Sequence, residues 1–112
     1  MKLNNLSRIA IIGNSGSGKS YLAKKLFDIT GLPLTHLDNV FWKPNWEKTP
    51  KEEWIRLQEA MVAKDRWIID GNYNSTAELR FKAAELVVFL DSNRVVCLIA
   101  ALIPISIINA MP

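Results

Sequence analysis

At 112 residues the chain has room for one domain, and this length is near the lower end of what a parallel α/β sheet covered on both faces requires. With 49% hydrophobic residues it is expected to pack a core rather than stay disordered, and a net charge of +3 is too mild to make a face that grips duplex nucleic acid. The single cysteine, Cys97 within an apolar run, excludes an internal disulfide and fits a reducing cytoplasm.

The opening residues read as no secretory leader, because Ile9 to Ile12 is too short for its apolar core. Arg8 to Ile12 is instead a short β-branched strand. It runs directly into Gly13-Asn14-Ser15-Gly16-Ser17-Gly18-Lys19-Ser20, which satisfies the G-x-x-x-x-G-K-[ST] pattern of a phosphate-binding loop. Glycines at 13, 16 and 18 let consecutive backbone N–H groups turn inward around a phosphate chain, while the next helix aims its positive end at the same place. Lys19 is expected to reach the β and γ phosphates of ATP, and the Ser20 hydroxyl to be one ligand of Mg2+.

Leu22, Ala23, Leu26 and Phe27 recur at helical spacing, and Gly31 is placed to close that helix in the left-handed conformation. Leu32 to Leu37 reads as a second strand that ends at Asp38. If both strands are parallel, this carboxylate leaves on the same side as the phosphate loop, where open α/β sheets place their ligands. Asn39 to Lys48 is irregular and aromatic, holding Phe41, Trp42 and Trp46 around Pro44. These rings either close over a ligand or fold back as a small satellite core, with Trp42 the candidate substrate contact.

Thr49-Pro50-Lys51-Glu52 has the form of a capped helix start, and Trp54, Leu57 and Met61 carry an apolar stripe to about Ala63. Arg66 to Asp70 is the third strand. An acid following such a strand is suited to holding magnesium, and Gly71 behind it is expected to give the substrate room. A short helix through Ala77 to Ala83 presents Arg80, whose planar fork suits a phosphate. Leu86 to Asp91 is the fourth strand, after which Asp91-Ser92-Asn93 offers a helix cap. From Val95 to Met111 the chain carries no charge and reads as a buried helix to about Leu102 followed by a loose tail, not as a membrane span.

Taken together, the phosphate loop, His36-Leu37-Asp38, the tryptophans of the second loop and Trp67-Ile68-Ile69-Asp70-Gly71-Asn72-Tyr73 resemble the bacterial DNA topology modulation proteins, in the adenylate kinase-like group of P-loop proteins. The resemblance runs from about Arg8 to Leu98. It implies a three-layer α/β/α fold with a parallel sheet in the order 2-3-1-4, which brings Asp70 next to Ser20. The family's arginine-bearing lid and fifth strand are not recognisable, since the uncharged stretch Ala100 to Pro112 stands in their place and the chain reads as a shortened or divergent member.

The expected activity is that of a small-molecule or nucleotide kinase. It would bind ATP and Mg2+ on residues 13–20 and Asp70, with Lys19, Asp38 and Arg80 catalytic and with Asp38, Trp42 and Arg80 against the acceptor. The rival reading is a nucleotide-binding regulator without turnover, linked indirectly to DNA topology, or an inactive copy. Direct nucleic-acid contact and membrane association are not expected.

Overall fold

The structure is a computed structural model that describes residues 6–13, 18–91 and 94–99; of Asn74, Asp91 and residues 94–99 only the backbone is described. Thus Asn14 to Ser17 of the phosphate loop and the tail Ala100 to Pro112 lie outside the described residues.

The apolar run after Ser7 forms strand β1 (Arg8–Gly13), and its alternation shows how the layers are built. Ile9 and Ile11 pack with Ala23, Leu26 and Leu32 of helix α1 (Lys19–Thr30) and the segment after it. Ala10 and Ile12 turn to the opposite face, where they meet Trp54, Ala77 and Phe81. Successive strand side chains point to opposite faces, so an apolar run with no polar alternation signals a strand covered on both sides. The second cover is helix α3 (Lys51–Val62) together with helix α4 (Ala77–Ala83). The result is three layers, as the resemblance implied.

Four parallel strands follow the expected order. Strand β2 (Leu34–His36) pairs with β5 (Trp67–Asp70), β5 with β1, and β1 with β6 (Leu86–Asp91). Between β2 and α3 the chain makes a one-turn helix α2 (Leu37–Phe41) and a small antiparallel hairpin, β3 (Trp42–Lys43) with β4 (Glu47–Lys48).

The end of the described chain departs from expectation. Arg94–Ile99 is not a helix but an edge strand, β7, antiparallel to β6 with Asp91 paired to Arg94 and Leu86 to Ile99. A connection this short permits only antiparallel return; Ser92 and Asn93, where a helix cap was expected, lie outside the described residues. The parallel fifth strand of the adenylate kinase-like group is not found among the described residues.

The start of α3 also differs. Pro50 occupies the cap position without a side-chain cap bond, because the Thr49 hydroxyl is turned inward and donates to the carbonyl of Phe41. Thr49 is therefore buried and ties the base of the hairpin to α2. Gly31 does close α1 as expected, in the left-handed region at φ 71°, with its N–H bonded to Phe27 O at 2.8 Å.

Candidate functional site

The register of the sheet places the chemistry. In the parallel ladder Asp70 stands opposite Ile11 on one side and His36 on the other, at the carboxyl ends of three adjacent strands. Gly18, at φ 87° where a side chain would be strained, lets the chain enter α1 directly above that edge. Lys19 and Ser20 then form the first turn of the helix, so its positive end and the strand carboxylate face one space.

That space is a cavity of about 250 Å³ lined by Lys19, Ser20, His36, Asp38, Asn39 and Asp70. Four of the residues expected from sequence, Lys19, Ser20, Asp38 and Asp70, meet there. Gly13 and Gly18 bracket the phosphate loop, while Asn14, Ser15, Gly16 and Ser17 lie outside the described residues.

Asp70 is the buried centre of the group, with only 4% of its surface exposed. Lys19 Nζ lies 3.2 Å from its Oδ1, and His36 Nδ1 lies 2.6 Å from its Oδ2. A carboxylate only accepts, so Nδ1 of His36 carries the proton of this bond. The Lys19 contact is an ion pair without hydrogen-bond alignment, which leaves Oδ1 without a hydrogen-bonding partner.

A buried carboxylate oxygen of this kind beside a serine hydroxyl fits magnesium. That ion takes one or two protein oxygens and fills the rest of its octahedron with water and phosphate. Among the described residues there is no cluster of three or more His, Cys, Asp or Glu, so no all-protein cage competes with that mode.

Asp38 sits in the first turn of α2, just past the end of β2. Its Oδ1 accepts a hydrogen bond from the Tyr73 hydroxyl. Burial first, and then the hydrogen bond and charge of Asp38, push the Tyr73 phenol well above its ordinary pKa, so it stays a donor at neutral pH. The ring is held by Phe41 and Trp54, at centroid separations of 4.9 and 5.1 Å. Phe41 therefore belongs to the satellite core. Trp42 and Trp46 remain on the outer hairpin, 37% and 80% exposed, and Trp42 does not line the cavity where a substrate contact was expected.

Two expectations are overturned by packing. Arg80 does not reach toward an acceptor: it is 1% exposed. Its guanidinium donates to Gln58 Oε1 at 2.7 Å, to Thr76 Oγ1 at 3.1 Å and to the carbonyl of Asn72 at 2.9 Å, with longer bonds to the carbonyls of Gly71 and Tyr73. Burial lowers its pKa to about 10, which leaves it charged at neutral pH. Among the described residues no carboxylate pairs with it; Gln58 and the carbonyls of residues 71–73 accept its bonds instead and hold the loop after β5.

Gly71, expected to make room for substrate, makes room for Leu37 instead. A Cβ at this position would stand 2.6 Å from a methyl of that buried side chain.

Sequence reasoning assigned no role to three residues of this site. His36 and Tyr73 orient the two carboxylates. Asn72 grips the phosphate loop at its root, accepting from Gly13 N–H at 2.9 Å and donating to Gly13 O. The signal lay in the His36-Leu37-Asp38 and Gly71-Asn72-Tyr73 runs, where each carboxylate is flanked by residues able to hydrogen-bond.

No family model and no curated protein matches the chain. Among solved structures it is similar to an unliganded sugar kinase from Janibacter sp. HTCC2649, with a TM-score of 0.53 and 23% identity over 94% of this chain and 65% of that one. The chain thus spans less than two thirds of that neighbour's length. Among the described residues no helix is long and apolar enough to cross a membrane. At this identity the likeness speaks for architecture, and the chain has a kinase-like α/β fold built on four parallel strands.

Proposed function

We propose that the chain is an ATP-dependent phosphotransferase acting on a small hydroxyl compound. The observation that carries this reading is the convergence of Lys19, Ser20, Asp70 and Asp38 on one cavity at the carboxyl edge of the sheet.

Backbone amides of residues 13–20 would hold the phosphate chain of ATP, and Lys19 would leave Asp70 for the β and γ phosphates as they enter. Magnesium held by Ser20, Asp70 and those phosphates would neutralise charge developing on the transferring group. Asp38, oriented by Tyr73, takes the proton of the acceptor hydroxyl through its second oxygen. The acceptor oxygen bonds to the γ phosphorus as the bond from that phosphorus to the β–γ bridging oxygen breaks, and ADP leaves with the electron pair.

The resemblance to DNA topology modulation proteins and the likeness in fold to a sugar kinase both fit this chemistry. Use of ATP and the single Cys97 fit work in the cytoplasm. The test is calorimetry with ATP and GTP, with and without magnesium, on the native chain and on Lys19→Ala. Magnesium-dependent binding of a nucleoside triphosphate that weakens at least about 100-fold in the variant is expected. No binding at millimolar nucleotide, or binding indifferent to Lys19, overturns the proposal.

A further inference from the structure

Helix α1 turns one stripe of side chains toward strand β2. Ser20, Lys24 and Phe27 stand at i, i+4 and i+7 on one face of the helix, and Leu34 and His36, two apart on β2, share one face of the strand. Between them lies a depression of about 340 Å³ lined by these five residues. It adjoins the cavity of about 250 Å³ that holds Asp38 and Asp70, because Ser20 and His36 line both. In the sheet of the described residues β2 is an outer strand, so no further strand closes the depression from the side.

The lining combines apolar surface with a cation. A single exposed phenylalanine on a helix needs no explanation. Phe27, however, is 41% exposed on a concave wall that it shares with the half-buried Leu34, and it leaves apolar surface open to water beside the site. Lys24 makes no ion pair among the described residues, although Asp28 stands one turn further along the helix. Its neighbours are engaged. Lys19 pairs with Asp70, Lys25 lies over the Tyr21 ring at 5.6 Å, and Lys43 is paired with Glu53 at 2.7 Å.

Charge is divided along the joined space. Asp38 and Asp70 stand at the reaction end, and Lys24 is one helical turn from Ser20, about 6 Å along α1. This division orients an elongated acceptor that carries a hydroxyl at one end and an anion at the other. Reversed, its anion would meet two carboxylates.

We infer that the depression binds the non-reacting part of the acceptor, an apolar segment lying on Phe27 and Leu34 and ending in a carboxylate or phosphate held by Lys24. This rests on the phosphotransferase reading and narrows its substrate class to hydroxyl compounds that carry both an apolar body and an anion. Lys24, Phe27 and Leu34 then set specificity and touch no reacting atom.

Calorimetry tests this on the native chain saturated with magnesium and a non-hydrolysable ATP analogue. The probes are para-(hydroxymethyl)benzoate, para-(hydroxymethyl)phenyl phosphate, the neutral para-(hydroxymethyl)benzamide, and glycerol phosphate as an anion without an apolar body. The two aromatic anions differ in the charged group, so the tighter one names it.

At least one aromatic anion is expected to bind saturably below about 10 mM, and at least about fivefold more tightly than the benzamide and than glycerol phosphate. In Lys24→Gln the preference over the benzamide should fall to within about twofold, and in Phe27→Ala the preference over glycerol phosphate should fall likewise. Lys24→Gln should hold the ATP analogue within about twofold of the native affinity, which separates a lost contact from a lost fold.

The inference is overturned if charged and neutral probes bind the native chain alike, if glycerol phosphate binds it as tightly as the aromatic anions, if either preference survives its variant, or if neither aromatic anion binds at about 10 mM. Loss of ATP-analogue affinity in Lys24→Gln would assign that lysine to the nucleotide and overturn it as well. Failure of the analogue to bind the native chain would instead bring down the phosphotransferase reading, which keeps the two failures apart.

Discussion

Tyr73 donates its hydroxyl to Asp38, joining the loop after β5 to the first turn of α2 across 35 positions of sequence. The bond ties the candidate base to the same loop whose preceding strand ends in Asp70. Both carboxylates of the site are thereby positioned by one stretch of chain, residues 70–73.

Removing the bond while keeping the ring isolates this coupling. Tyr73→Phe retains the packing against Phe41 and Trp54 and removes only the donor. Because Asp38 is exposed and can exchange the lost partner for water, stability should change by less than about 1 kcal/mol. Turnover should fall by roughly 10- to 100-fold at unchanged ATP affinity, part of what a positioned general base contributes. Steady-state kinetics beside thermal melts check both statements, and an equal fall in nucleotide binding would refute the assignment.

Asp70→Asn addresses the ion. The amide keeps the shape and an oxygen but loses the charge that faces Lys19 at 3.2 Å. In the native chain magnesium should strengthen ATP binding, and in the variant that gain should shrink by about 10-fold or more while affinity without magnesium is largely retained. Calorimetry in magnesium and in chelator gives the two numbers. A variant whose magnesium gain equals the native one would remove Asp70 from the ion's ligands.

The parts of this site that sequence revealed are those where a local pattern dictates the geometry. A Gly-rich loop between a strand and a helix can sit only at the carboxyl edge, and an acid ending a buried strand beside it follows. The order β2-β5-β1-β6 came from the resemblance, and the register then set Asp70 against Ile11 and His36.

Arg80 was misread because its chemistry was weighed ahead of its position. Ala77, Arg80, Phe81 and Ala84 are spaced as one helical stripe, and all four are buried. The stripe was visible in sequence; the acceptors that make burial tolerable, Gln58 and three loop carbonyls, come from elsewhere in the chain and were not. The edge strand β7 was missed for a different reason. Val95, Val96 and Ile99 favour strand, but a short apolar run has no periodicity that separates strand from buried helix.

Arg80 supports a prediction with a definite pH signature. Arg80→Met fills similar space but leaves loop carbonyls and Gln58 unpaired, which should cost about 3–5 kcal/mol and loosen residues 71–73. Its folded pKa of about 10 lies below the unfolded value, so the folded state binds fewer protons only in the window between them. There, stability of the native chain rises with pH as the cost of burying the charge is relieved. From about pH 6 to 9 both states hold the proton, so the difference between native and variant should be flat. Urea melts at three pH values within that range test it. A steep dependence would mean that another titrating group is coupled to Arg80.

Gly71 is the place where packing and chemistry are easiest to tell apart. If the glycine serves a substrate, Gly71→Ala should harm binding of the acceptor and leave stability alone. If it serves Leu37, as the 2.6 Å approach of an added Cβ to that side chain requires, the substitution overpacks a buried position and should cost about 1–3 kcal/mol. The close atoms are a methyl, Cγ and Cβ of Leu37, at 2.6, 2.9 and 2.7 Å, so trimming that partner to alanine removes two of the three contacts and relieves the strain in part. Gly71→Ala combined with Leu37→Ala should be less destabilised than the sum of the two single variants by about 0.5 kcal/mol or more. Additive single and double variants in urea melts would show that the two positions are independent, and would return Gly71 to the cavity.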